Sequence, residues 1–498
     1  MTDSPDPTDP DPVAPLAPLA TAARRWRRPD TFLVAVLVGA FVLRLAWSVY
    51  AARPPTSFGD PFSYLTHADE LASGKGYVTF FYGRPTAYYP VGYPAVLGGF
   101  LWLARLVAPG TSALQVAIGL NLVCGTATVA VVFALARQLA GTTVARVAAL
   151  LVALFPSLIL YTATAYLETV FCFLVAVIAW LLVRTPGRDH PTDRTDRSDR
   201  SDRTADRPTA AIGTGRPRTG LAVPPWPALL ALGGVFALAT MIRPITLAFL
   251  PVLLLAWGFG RPGWARSLGA VAVVAGIVAL AVVPWSIRST RALGATVIIS
   301  TNTGDNLCIG HSPESRGEYI DLNALCGGGY DDVPEDLREA ERNRQGTARA
   351  LTYAREHPAR EVTLLARKAF HLVAHDHEGV DAVESYGADP FLDDTARSIL
   401  RFVADAFYYL VGALAVGGAA WVAWRGDSRS RLVLAWATTL LAVPLIFFGG
   451  SRFHLPALPF AAMFAAITVE AVRRRIRPAA TAAPDEGHNV DIDRTVPR

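Results

Sequence analysis

Asp60, Glu168, Arg243, Arg288, Arg291, Arg452 and His454 share one property of position: each stands at the edge of a long apolar run. Ionisable groups close to membrane depth are costly to place and are generally kept for a task. Two carboxylates with several arginines suit a phosphate-bearing substrate whose reaction needs a base. Arginine grips phosphate oxygens with a bidentate fork, and a carboxylate takes the proton of an attacking hydroxyl. The densest polar stretch runs from Phe58 to Pro94 and carries Asp60, Tyr64, His67, Asp69, Glu70, Lys75 and Arg84 among aromatic residues and glycines. Plainer readings stand beside these. Asp60 precedes Pro61 as a helix N-cap does, Glu168 suits a solvated loop end, and Arg243, Arg288 and Lys368 suit side chains that snorkel to the interface.

These residues are positioned by a chain of 498 residues, 52% hydrophobic and only 17% charged. Apolar runs long enough to cross about 30 Å of hydrocarbon recur along it, which predicts an all-α polytopic membrane protein of about ten transmembrane helices. The net charge of +5 is spread over loop arginines, so it reports topology and does not point to nucleic acid. Residues 1–31 are acidic and Pro-rich, as expected of a disordered cytoplasmic tail and not of a cleaved leader. Arg24, Arg25, Arg27 and Arg28 then precede the first span, Phe32 to Ala52.

A transmembrane module over 32–285 is expected, with a large first outer loop at 53–112 that holds interfacial helices. Val91 to Ala108 poses a question of parity. If it crosses, the basic connections Arg137 to Arg146, Arg184 to Arg218 and Arg261 to Arg266 all fall outside; if it dips in and returns, all fall inside. Retention of positive charge in the cytoplasm favours the second. Further spans read Ala113 to Ala136, Val144 to Tyr161, Thr169 to Val183, Trp226 to Met241, Ile245 to Phe259 and Leu268 to Trp285. Residues 184–225, with TDR and SDR triplets, read as a disordered cytoplasmic linker. A mixed extracytoplasmic segment follows at 286–398, between the seventh and eighth spans. TVIIS at its start is a strand candidate, and Pro334 to Glu356 and Ala359 to Ala374 are helical candidates broken at His357-Pro358. Spans Ile399 to Trp424, Leu432 to Phe448 and Leu455 to Val472 fill 399–472, and 473–498 is a second disordered tail. Both termini are expected in the cytoplasm of a multi-pass cell-membrane protein, with the reactive groups outside.

With the order of these pieces set, Gly59-Asp60-x-x-x-Tyr64, Ala72-Ser73-Gly74-Lys75-Gly76-Tyr77 and Tyr89-Pro90-Val91-Gly92-Tyr93-Pro94 resemble the first outer loop of GT-C glycosyltransferases. The family 39 group, with protein O-mannosyltransferases and lipid A aminoarabinose transferases, is the nearest resemblance. Tyr166-Leu167-Glu168, Ile242-Arg243-Pro244, Pro284-Trp285-Ser286-Ile287-Arg288, Asn302-Thr303-Gly304-Asp305-Asn306-Leu307 and Arg452-Phe453-His454-Leu455-Pro456 extend it over roughly residues 30–475. The resemblance implies a polyprenyl-phosphate-linked sugar as donor, membrane lipids as surroundings, and an extracytoplasmic glycan, protein or lipid as acceptor. It implies inverting displacement with Asp60 as base and Glu168 holding sugar hydroxyls or the acceptor. Phosphate falls to Arg288, Arg291 or Lys368, and Tyr64, Tyr77, Tyr88, Tyr89 and Tyr93 offer faces for sugar rings, with His67, Arg84, Arg243, Arg452 and His454 as further substrate contacts. Val91 stands where relatives carry a second proline, and Pro61 where O-mannosyltransferases carry an acidic residue, so the acceptor class does not transfer.

Cys308 and Cys326 are the only cysteines outside the apolar runs and are expected to pair in the oxidising compartment. His371 and His375, spaced i, i+4 and followed by Asp376, His377 and Glu378, admit a divalent metal ion; a polar helix end gives the same letters, and no cofactor is required. A lipid-linked sugar transporter or flippase, or a non-catalytic envelope scaffold, are the competing functions. The first calls for inverted repeats and midplane charges, the second for the aromatic loop as a protein-binding surface.

Overall fold

The computed structural model describes residues 30–80, 82–184, 221, 223–259, 263–320 and 337–476. Helices follow one another as α1 (Thr31–Ala51), α2 (Asp60–Ala72), α3 (Gly92–Val107), α4 (Ala113–Ala140), α5 (Thr142–Leu154), α6 (Pro156–Leu160), α7 (Glu168–Val183), α8 (Trp226–Ile242), α9 (Phe249–Gly258) and α10 (Gly263–Leu293). Then come α11 (Thr303–Gly310), α12 (Arg338–Glu356), α13 (Pro358–Val373), α14 (Glu378–Val383), α15 (Asp394–Arg425), α16 (Ser428–Ala442) and α17 (Leu458–Ile476). No strand occurs among the described residues. The expected disorder of the tails and linker, and the Cys326 region, lie outside them.

Among the described residues, six helices are long and apolar enough to cross a membrane, or seven if the pair α5–α6, bent by 58°, is one span. The other expected spans, and the dipping run at 91–108, are shorter apolar helices. Starts are set by local chemistry. The Asp30 carboxylate caps α1 by accepting from the Phe32 and Leu33 amides at 3.1 and 3.4 Å, Ser112 and Gln115 form a capping box on α4, and Asp393 and Asp427 cap α15 and α16. The bend falls at Pro156, which cannot donate to the ladder and displaces the residue before it from helical geometry. Buried Arg44 of α1 compensates, donating to the freed carbonyls of Ala153 and Val152 at 3.0 and 3.2 Å. Helices α15 and α17 approach closely where Gly418 meets the Phe464 carbonyl, since a Cβ there would lie 1.9 Å from that oxygen.

Arg146 meets Asp30 at 3.1 Å, so the start of α1 and the α4–α5 turn share one end of the bundle. The chain therefore enters and leaves residues 52–112 at the other end. That matches a run at 91–108 that returns to the side it came from.

TVIIS is not a strand but an irregular strip. Its backbone is consumed by side chains of α10: the Val297 carbonyl accepts from the Ser286 hydroxyl at 2.6 Å, the Ile299 carbonyl from the Trp285 indole at 2.7 Å, and the Val297 amide donates to Thr290 Oγ1 at 3.0 Å. A partner strand on the Val297–Ile299 edge would find these groups taken. Among its described residues the segment expected to be mixed holds helices and irregular stretches and no strand, and α12 and α13 break at His357-Pro358 as the sequence predicts.

Candidate active site

Asp60 opens α2 but does not cap it: the cap position is Gly59 and no side-chain capping bond forms. Its carboxylate turns into a cavity of about 400 Å³ lined by Tyr64, Tyr88, Tyr89, Arg243 and Arg452 and by apolar residues of the 242–248 and 443–448 turns. One oxygen accepts from the Tyr89 hydroxyl at 2.9 Å and the other from Arg452 Nη1 at 2.8 Å. Tyr64 is buried and packs edge-on against the rings of Tyr89 and Tyr93, both at 5.3 Å. Burial and the Asp60 charge push the phenols of Tyr64 and Tyr89 up, and burial and Asp305 do the same to Tyr88. These tyrosines are neutral donors.

Arg452 reaches Asp60 from a turn held by Glu378. That carboxylate accepts from the Ser451 hydroxyl, from the Arg452 amide at 2.9 Å and from the Tyr386 hydroxyl at 2.8 Å. Burial raises the Glu378 carboxyl, but the Arg452 charge and these bonds outweigh it and leave it low. The Arg452 guanidinium also lies over the rings of Tyr166 and Phe453, at 5.5 and 5.2 Å. Tyr386 sits at φ 55°, a left-handed conformation unusual for a bulky residue, which the bond to Glu378 helps to hold.

The second cavity arginine, Arg243, is paired with Glu168 of α7. Glu168 lies just behind the cavity wall and is fully buried, and its other oxygen has no hydrogen-bond partner among the described residues.

Two strips complete the walls: 86–90 of the first loop and 300–306 leading into α11. One carboxylate ties them together. Glu339 of α12 accepts from the Thr86 hydroxyl at 2.7 Å, the Ala87 amide at 2.9 Å and the Thr301 hydroxyl at 2.6 Å. The Tyr88 hydroxyl donates to Asp305 at 2.8 Å, and Arg342 meets the same carboxylate at 2.9 Å.

Other residues singled out from the sequence are not brought to the cavity. Arg288 donates to the Thr86 and Tyr77 carbonyls at 2.7 and 2.6 Å, which spends its fork on the loop backbone. Arg291 and Arg84 are exposed and line no part of it. His67 is buried against Tyr77, rings stacked at 4.3 Å, and burial lowers it to about 4. The Tyr93 ring packs behind Tyr64, and its hydroxyl has no partner among the described residues. Lys368 is buried, 3.2 Å from His311 Nε2, and burial lowers its amine to about 8. His454 sits between the Leu372 carbonyl at 2.6 Å and Asp376 at 2.8 Å, where burial raises the Asp376 carboxyl despite these contacts. The sequence reading passed over Glu339 and Glu378 as site-holding groups, because in polar stretches their letters look like ordinary surface charge.

Among the described residues no group of three or more His, Cys, Asp or Glu side chains is placed to hold a metal ion. The candidate letters go to separate partners: His371 to Glu318 at 3.5 Å, His377 to Asp405 at 2.7 Å, Asp376 to His454, and Glu378 to the Arg452 turn. Cys308 is buried and disulfide-bonded, and its expected partner Cys326 lies outside the described residues. Cys124 and Cys172 are free and buried in the helix core.

No protein-family model matches the chain, and no curated sequence does. Solved structures do. The archaeal oligosaccharyltransferase AglB from Archaeoglobus fulgidus, in complex with an inhibitory peptide and a dolichol-phosphate, is matched at TM-score 0.47 and 15% identity over 89% of this chain and 51% of that one. An Archaeoglobus fulgidus oligosaccharyltransferase in the apo form is matched at TM-score 0.48 and 14% identity, over 90% and 51%. ArnT from Cupriavidus metallidurans bound to undecaprenyl phosphate is matched at TM-score 0.38 and 15% identity, over 90% and 78%. The chain spans about half the length of the oligosaccharyltransferase structures it matches.

Proposed function

We propose that the protein is a membrane glycosyltransferase that moves a sugar from a polyprenyl-phosphate-linked donor to an acceptor hydroxyl on the outer face of the cell membrane, with inversion and with Asp60 as general base. The observation that carries this reading is the shared cavity: one carboxylate and two arginines meet there beside an apolar wall. The motif resemblance of the first loop supports the same reading.

The chemistry is a single displacement. The acceptor oxygen forms a bond to the anomeric carbon while the bond from that carbon to the phosphate oxygen breaks, its electron pair leaving with the phosphate. The acceptor proton passes to Asp60. Each Asp60 oxygen already accepts one bond, from Tyr89 or Arg452, and retains a lone pair for the acceptor hydroxyl. Phosphate charge falls to Arg243, which lines the cavity, and not to Arg288, Arg291 or Lys368, which do not. Arg452 fixes the base in place. The turns at 242–248 and 443–448 suit the prenyl chain. The arginines at 425–431 and 473–475 favour a cytoplasmic location for the far end of the bundle.

The test is a transfer assay with purified protein and synthetic polyprenyl-phosphate sugars. Asp60→Asn should lower turnover at least about 100-fold, the lower range for a positioned base, while the protein stays folded and inserted at the assay temperature, with the loss of the Arg452 pair read as a lower unfolding temperature. Transfer by Asp60→Asn within tenfold of the parent sinks the assignment of Asp60. A parent that transfers no sugar from any donor leaves transport or scaffolding as the function.

A further inference from the structure

We infer, resting on the transfer reading, that the sugar carried by the donor is uncharged and that Asn302, Thr303 and Asn306 recognise it. The strip that carries them is close to the base: the Tyr89 hydroxyl is on Asp60, the Tyr88 and Tyr89 rings touch at 4.9 Å, and the Tyr88 hydroxyl is on Asp305 in the first turn of α11. Asn302, Thr303 and Asn306 all line the cavity. Asn302 accepts from the Ser300 hydroxyl at 2.9 Å and keeps its amide N–H groups for a ligand. The side chains of Thr303 and Asn306 have no hydrogen-bond partner among the described residues.

This part of the wall offers neutral donors and acceptors in alternation, as a set of sugar hydroxyls requires. It offers no charge. The charged side chains lining the cavity among the described residues are Asp60, Arg243 and Arg452; on the transfer reading Asp60 is committed to the acceptor proton and Arg243 to the phosphate, and Arg452 is held by Asp60. Asp305 behind the strip is spent on Tyr88 and Arg342. A sugar ammonium or carboxylate placed here would lose water without gaining a counter-charge, which is heavily disfavoured.

The strip is also stiff. The Gly304 amide donates to Asn343 Oδ1 at 2.8 Å, and a Cβ on Gly304 would lie 2.3 Å from the Asn343 carbonyl oxygen. It cannot shift easily to suit another ring.

The experiment measures binding of four lipids to the full chain in nanodiscs: bare polyprenyl phosphate, and the same lipid bearing a neutral hexose, an amino sugar or a uronic acid. The neutral hexose donor should bind at least about tenfold more tightly than either charged one, the size expected when a buried group is left unsatisfied. The double variant Asn302→Ala/Asn306→Ala should bind the hexose donor no better than bare lipid. Its undiminished affinity for bare lipid reports an intact fold. Asn306→Asp should move preference towards the amino sugar.

Equal or tighter binding of a charged-sugar donor by the parent overturns the inference, as does an alanine double variant with unchanged preference. Transfer of an amino sugar in preference to a hexose also overturns it and leaves the transfer reading standing. The expected binding pattern without transfer to any acceptor does the reverse.

Discussion

Replacing Glu339 by alanine tests whether the cavity walls depend on one carboxylate that never touches substrate. Three donors converge on it: the Thr86 hydroxyl at 2.7 Å, the Ala87 amide at 2.9 Å and the Thr301 hydroxyl at 2.6 Å. Hydrogen bonds to a charged group contribute about 1.5–3 kcal/mol each. Three of them cannot simply be added, because the strips keep other ties. Arg288 still clasps the Thr86 and Tyr77 carbonyls, and the Thr301 amide still donates to the Ala87 carbonyl at 2.9 Å. Glu339 is also only half-buried, so water satisfies part of what is lost.

A loss of about 2–4 kcal/mol is expected for Glu339→Ala, within the range for a broken buried network. The Tyr89 hydroxyl then loses its fixed aim at Asp60, and kcat should fall by roughly tenfold or more even at temperatures where the protein remains folded. Glu339→Gln keeps one oxygen for the Ala87 amide and Thr301 and turns its NH₂ to the Thr86 oxygen, so it should cost only about 1 kcal/mol. Thermal unfolding in detergent and the transfer assay read both variants. The reasoning is wrong if Glu339→Ala matches the parent in both, or if glutamine does as much damage as alanine.

Glu378→Gln should lower kcat about tenfold with little change in donor KM, because it loosens the turn that presents Arg452 without touching the cavity; an equal rise in KM would contradict this. Lys368→Met should stabilise the protein at pH 7 by removing a buried charge. The unfolded chain holds that proton up to about pH 10.5 and the folded chain only to about 8, so parental stability rises with pH across that window. The gain from methionine, about 3 kcal/mol at most, should therefore shrink between pH 8 and 10.5, as thermal unfolding across pH would show. Gly304→Ala forces a Cβ to 2.3 Å from the Asn343 carbonyl oxygen, which belongs to backbone and cannot rotate away. A destabilisation of about 1–3 kcal/mol is expected in thermal unfolding, and a neutral result would mean that α11 and α12 separate freely.

The apolar runs made most of the helices legible, since a bilayer leaves few alternatives for such segments. The place of Asp60 behind the first span marks it in the sequence, and the structure puts it on the cavity wall. Its partners were not legible. Arg452 lies 392 residues from Asp60 in the chain, and nothing local says which carboxylate a guanidinium at the end of a helix will face. Arg288 illustrates the same limit, because its position fits a phosphate ligand and a snorkelling anchor equally well, and the structure gives it two loop carbonyls instead. TVIIS has strand composition, yet strand formation depends on free backbone groups, and α10 takes them. Charge counting suggests that 91–108 returns to its own side, and the pair between Asp30 and Arg146 is consistent with that by putting both ends of 52–112 at one end of the bundle.

Arg44 bears on how the chain is made. Its guanidinium lies in the first membrane helix, yet two of its carbonyl acceptors, Val152 and Ala153, are synthesised 108 and 109 residues later. Until α5 emerges, α1 carries an arginine near its middle that costs about 2.5–3.5 kcal/mol to leave among acyl chains. The acceptors that offset this cost exist only once α5 is in place, and the break at Pro156 is what leaves their carbonyls free. Straightening that kink would withdraw the acceptors and leave the opening helix less securely seated in lipid, far from any reacting group.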